Sequence, residues 1–202
     1  MTKFIHPLQK LASGKTVLIL FIVTMSVYLL MLFYTIPMVE SFAPNTALFD
    51  LSPSGYSYPH AMSLLEELGN EGRLFYLSRQ LPLDFIYPGL FAVSYTLLLI
   101  WLFSKSFKDT SKIFYLTFIP ALGGLFDYLE NIYIIRMINS FPDLSTGLVQ
   151  VASTFTVLKS IFTTIFFLLL FAGFAAFLFT KIKMKLVSVN NQKHLEFSKE
   201  QE

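Results

Sequence analysis

Two stretches place side chains able to do chemistry inside otherwise apolar sequence. "GGLFDYLENIYIIRM", Gly123 to Met137, carries Asp127, Glu130 and Asn131, and "TVLKSIFT" carries Lys159 between Thr156 and Thr163. An ionised side chain costs about 2.5 to 3.5 kcal/mol at the centre of a membrane helix, so groups retained there need a partner or a task. A carboxyl that keeps its proton beside an ionised one, with a lysine and tyrosines near, supports acid/base chemistry on a substrate arriving from the bilayer. Isomerisation or hydrolysis of a lipid is the kind of reaction such a set performs. No spacing here singles out one enzyme class, and no catalytic residue is assigned.

On a helix, Pro120, Gly123, Gly124, Asp127, Glu130, Asn131 and Ile134 share one face, with Arg136 opposite, where it snorkels to headgroups. Small residues allow close helix approach and polar ones bond across the interface, so this face points into a bundle. Thr156, Lys159 and Thr163 form a second stripe. If the two helices enter and leave near Asn139 and Val151, Asp127, Glu130 and Lys159 lie about 18, 13 and 12 Å below the same surface, which permits an ion pair. Asp84, Tyr87, Pro88, Phe91 and Tyr95 share a face of a further helix and form a third wall, and Arg73 and Arg79 lie in the loop before it. The candidate ligand-binding set is therefore Asp127, Glu130, Asn131, Lys159, Tyr87, Asp84, Arg73 and Arg79. Asp127, Glu130 and Lys159 sum to one negative charge. A proton, an arginine, a bound cation or the positive end of an amphiphilic ligand must balance it.

The elements that position these groups are membrane spans. The 202 residues are 54% apolar and include 23 phenylalanines, a composition that belongs in lipid. Runs long enough to cross a bilayer fall at about 16–39, 84–103, 113–138 and 151–180. The first is too long for a signal peptide and is expected to be a span. Lysines at 3, 10 and 15, at 105, 108 and 112, and from Lys181 onward mark one side. The 40–83 loop with Asp84 holds six acids against two arginines and marks the other. By the positive-inside rule both termini are expected in the cytoplasm, in a plasma or bacterial inner membrane. "HAMSLLEELG" and "NEGRLFYLSRQL" each have helical spacing, which predicts two short amphipathic helices in the first extracytoplasmic loop, with Pro82 starting the second span. The expected fold is all-α: a polytopic four-transmembrane-helix bundle over 1–185 and a disordered cytoplasmic tail over 186–202.

Several chemistries are excluded or disfavoured. There is no cysteine, hence no disulfide and no thiolate site, and the three histidines His6, His60 and His194 lie outside the spans. No metal and no cofactor is expected. A net charge of +2 without a basic, aromatic face makes nucleic acid a poor partner.

"GYSYPHAMSLLEELGNEGRLFYLSRQLPLDFIYP" followed by "FDYLEN" resembles small four-span bacterial membrane proteins without an assigned activity. The architecture is also loosely similar to EXPERA-domain proteins, whose four-helix bundles hold sterol-like or cationic amphiphilic ligands at buried acids. The histidine-and-glutamate pattern of the sterol isomerases is missing, so the resemblance implies a cavity and no catalytic residue. The leading expectation is an outward-opening intramembrane polar cavity that binds, and in one form transforms, a lipid-like small molecule. The alternative is a membrane scaffold or accessory subunit whose buried polar residues fix helix packing. Proton-coupled transport ranks behind both, because no inverted repeat is visible. Expected partners are membrane lipids, with a second copy of the chain or another membrane protein.

Overall fold

The computed structural model describes residues 2–199, with side chains over 5–185. The described residues form helices only: α1 (Thr2–Leu11), α2 (Gly14–Phe42), α3 (Tyr58–Glu67), α4 (Gly69–Ser104), α5 (Lys112–Ser140) and α6 (Thr146–Lys199). Helices α2, α4, α5 and the Thr146–Lys185 part of α6 are each long and apolar enough to cross a membrane. The protein is an all-α four-helix bundle of membrane-spanning type. The tail expected over 186–202 falls beyond the described side chains, and residues 200–202 lie outside the described residues altogether.

Local chemistry sets the helix starts. Ser13 accepts the Thr16 amide at 3.2 Å and opens α2, and Ser57 accepts the His60 amide at 3.4 Å and opens α3, with Pro59 in its first turn. The second amphipathic helix expected in the first loop is not separate. "NEGRLFYLSRQL" forms the first turns of α4, which runs through Pro82 without a break. A widened π turn at Tyr76–Gln80, closed by the Leu81 amide on the Tyr76 carbonyl, precedes the proline and shifts the register there. The same device recurs in α2, where a π turn at Met31–Thr35 precedes Pro37. Helix α1 was not expected. It buries Ile5, and Gln9 donates to Asp109 at 2.8 Å and to Ser104 at 3.3 Å.

Helix α4 is the centre of the bundle, with α2 on one side and α5 on another, and α5 in turn carries α6. Polar bonds pin α2 to α4 at two heights, through the Thr24 and Ser94 hydroxyls 2.6 Å apart and through the Thr35 hydroxyl donating to the Gln80 carbonyl oxygen. A buried cluster including Phe49, Leu64, Leu65, Tyr76, Ile134, Met137 and Val149 closes the end of the bundle that carries the first loop, hereafter the loop end. There Gly55 has a φ of +85°, and a Cβ on it would stand 2.6 Å from the Ser153 hydroxyl. Glycine thus lets the loop lie directly on α6, where the Tyr56 amide donates to Ser153 at 2.8 Å. Between α2 and α6 the bundle is hollow.

Candidate functional site

Lys159 is the hub. Its ammonium lies 2.7 Å from Glu130, 2.8 Å from Asp127 and 3.5 Å from Asp50. Helices α5 and α6 therefore turn their ionisable side chains toward each other at one level, as the spacing of the two stripes predicts. Glu130 is fully buried and its second oxygen accepts from the Thr156 hydroxyl at 2.6 Å. Thr156, one turn before Lys159, orients the carboxylate that the lysine neutralises.

Asp50 had no signal of its own in the sequence. It sits in the first loop, outside any periodic pattern, and the excess of acids in that loop was the only hint. The loop folds back over the bundle, and the Tyr76 hydroxyl donates to Asp50 at 2.6 Å, which aims its other oxygen at Lys159. Beside it, burial pushes the phenol of Tyr56 up from its ordinary range, so that group stays neutral.

Asn131 has a structural task. Pro88 lies inside α4 and has no amide hydrogen, so the Asp84 carbonyl loses its helical donor, and the Asn131 amide replaces it at 2.7 Å. Replacing Asn131 with leucine is expected to leave that buried carbonyl unpaired and to cost about 1 to 2 kcal/mol. A urea or thermal unfolding series in detergent reads this, and wild-type stability for Asn131→Leu would contradict it.

The carboxyls border a hollow of about 540 Å³. Asp50, Asp84, Asp127, Lys159 and Gln80 stand at its loop end, with Leu51 beside them. Below them the walls are Met25, Tyr28, Met31 and Leu32 of α2, Tyr87, Phe91 and Tyr95 of α4, and Thr163, Phe167 and Leu170 of α6. From Gln80 to Tyr95 the wall runs roughly 22 Å along the helix axis. Its aromatic rings are stepped in contact: Tyr28 on Tyr87 at 5.7 Å, Tyr87 on Phe91 at 5.9 Å and Phe91 on Tyr95 at 4.8 Å. Phe21, Leu32 and Phe167 line the hollow and are also exposed on the lipid-facing surface of α2 and α6.

Of the candidate residues, Asp84, Tyr87, Asp127 and Lys159 line the hollow, while Glu130 and Asn131 stand behind them in the helix interface. Arg73 and Arg79 do not belong to it. Arg73 is held by the Leu65 carbonyl and Asn70, with its guanidinium 4.5 Å from the Phe141 ring centre, and Arg79 is exposed. The physical reason is helical phase: in the continuous α4, Gln80 and Asp84 face the hollow and Arg79 faces away. Gln80 was missed because it was assigned to a separate surface helix. Among the described residues the carboxyls do not converge on one point as metal ligands would; they surround a lysine. Searched against protein-family models, curated proteins and solved structures, the chain matches none.

Proposed function

We propose that the protein binds a lipid-like small molecule with a positively charged head, the head among Asp50, Asp84 and Asp127 and the tail along the aromatic wall. One observation carries this: an elongated, apolar hollow ends in three carboxyls, Asp50, Asp84 and Asp127, with Glu130 buried behind them, and among the described residues that line it Lys159 is the one cation. Low-dielectric walls make uncompensated charge costly, so a cationic head brings the missing balance. Its volume lies within the range of small-molecule sites. The loop end is bounded by Asp50 and Leu51, so the entrance lies at the side, between α2 and α6, where a molecule dissolved in the bilayer arrives without crossing water. The charge distribution supports an outer position for the loop end and cytoplasmic termini. Should turnover accompany binding, Asp84 is the group placed for proton transfer, since among the described residues it makes no ion pair.

The scaffold alternative draws support from a different observation, the Asn131 bond to the Asp84 carbonyl, which serves helix packing alone. Native mass spectrometry of gently extracted protein offered hexadecylamine, hexadecanol or hexadecanoate separates the two. The binding role predicts that the amine is retained, that hexadecanoate is not, and that Asp127→Asn weakens the amine by about tenfold. A scaffold retains none of the three and copurifies with a second protein or a second copy.

A further inference from the structure

We infer that Gln80 is a specificity residue of the hollow: it donates to an acceptor oxygen that the ligand carries next to its cationic nitrogen, so the preferred head is an amino alcohol or amino ether rather than a bare amine. This rests on the binding role proposed above. Gln80 is 1% exposed, lines the hollow, and spends its carbonyl oxygen on the Thr35 hydroxyl. Among the described residues its amide nitrogen has no hydrogen-bond partner. One turn further along α4, Asp84 is 3% exposed, lines the same hollow, and leaves one carboxyl oxygen unpartnered. Two buried, unpartnered atoms of opposite sense, a donor and an acceptor, thus stand roughly 6 Å apart along the axis on one wall. An unmade bond at a buried polar atom is expensive, and a ligand that satisfies both atoms at once recovers it.

The surrounding backbone accounts for the position of Gln80. It closes the π turn of α4, Thr35 closes the π turn of α2, and the bond between their side chains holds the two widened turns together at the rim of the hollow. The extra residue in each turn rotates the following helix. Gln80 itself, at i, i+4 and i+7 spacing with Asp84 and Tyr87, shares their wall of α4 by ordinary helical phase. π turns of this kind are frequent at functional sites.

The test compares 2-aminohexadecan-1-ol with hexadecylamine, using the full chain in detergent micelles and native mass spectrometry titration. Wild type is expected to hold the amino alcohol about tenfold more tightly than the amine. Gln80→Met keeps the side-chain length and removes the amide; it is expected to level the two affinities by weakening the amino alcohol alone. Thr35→Val releases the amide from its anchor and is expected to reduce the preference in part. If wild type binds both equally, Gln80 reads nothing and the inference falls, while the cationic site stands. If neither is retained, the binding role falls with it. Should Gln80→Met fail to fold, the wild-type ranking alone decides.

Discussion

Lys159→Met is expected to be the most damaging single substitution in the spans. Methionine matches the length and packs against the same apolar wall, so the change isolates the charge. It leaves Asp50, Asp127 and Glu130 around a position that holds no cation, and Glu130 has no route to water because it is fully buried. Removing one member of a buried ion pair costs about 3 to 5 kcal/mol, most of it the penalty of the stranded partner. The expected readout is a large drop in the midpoint of thermal unfolding in detergent. The triple variant Lys159→Met, Asp127→Asn, Glu130→Gln removes the two nearest of the three stranded charges as well, leaving Asp50, and it is expected to recover more than half of the loss. Non-additivity of that sign is what direct contact requires. Lys159→Met with wild-type stability would show that the lysine does not hold the helices together.

The legible part of this molecule is the part written in periodicity. Length and apolar runs locate four spans, and the phase of Asp127 and Glu130 on one helix and Lys159 on another foretells their meeting, because helix geometry is fixed once the helix is granted. What lay beyond the sequence depended on long-range folding or on where a helix begins. Asp50 reaches the site because a loop closes over the bundle end, and loop paths leave no periodic trace. Gln80 shares the phase of Asp84 and Tyr87, but it lies before Pro82 in a segment read as a separate surface helix, and only the continuity of α4 brings it to the site. Arg73 and Arg79 were assigned to the site by the charge deficit, but phase sends one to the Leu65 carbonyl and the other outward.

The polar groups at the loop end come from four elements: the first loop, α4, α5 and α6. Among the described residues ion pairs tie α6 closely to α5, at 2.7 and 2.8 Å, and more loosely to the first loop at Asp50, at 3.5 Å. The α4 part is tied to α5 by Asn131 on a proline-vacated carbonyl, and to α2 by Thr35. The stable half of the site is therefore Glu130, Asp127 and Lys159. Gln80 and Asp84, each with an unpartnered atom among the described residues, line the hollow on the α4 side.

The neighbouring glycines Gly123 and Gly124 are expected to respond in opposite ways to substitution, and the contrast tests the close approach on which the site depends. A Cβ on Gly124 would stand 2.6 Å from the Pro88 carbonyl oxygen and 3.1 Å from the Ala92 Cβ. The first obstacle is backbone and has no rotamer through which to retreat. Gly124→Val therefore has to push α5 away from α4, which lengthens the Asn131 bond to Asp84 and tilts Asp127 off Lys159. Overpacking of this kind costs roughly 3 kcal/mol and is expected to lower the unfolding midpoint and, with it, any retention of the proposed cationic ligand. On Gly123 the nearest atoms, from Phe91, Phe162 and Thr163, stand at 3.5 to 3.7 Å, an ordinary contact. Gly123→Ala is expected to be neutral or to gain up to about 1 kcal/mol, because alanine loses less freedom in a helix. Unfolding midpoints of the two variants, measured side by side in the same detergent, decide the matter. Equal midpoints would mean that α4 and α5 are not in contact at Pro88, and with that the carbonyl bond, the placement of Asp127 and the hollow itself would lose their footing.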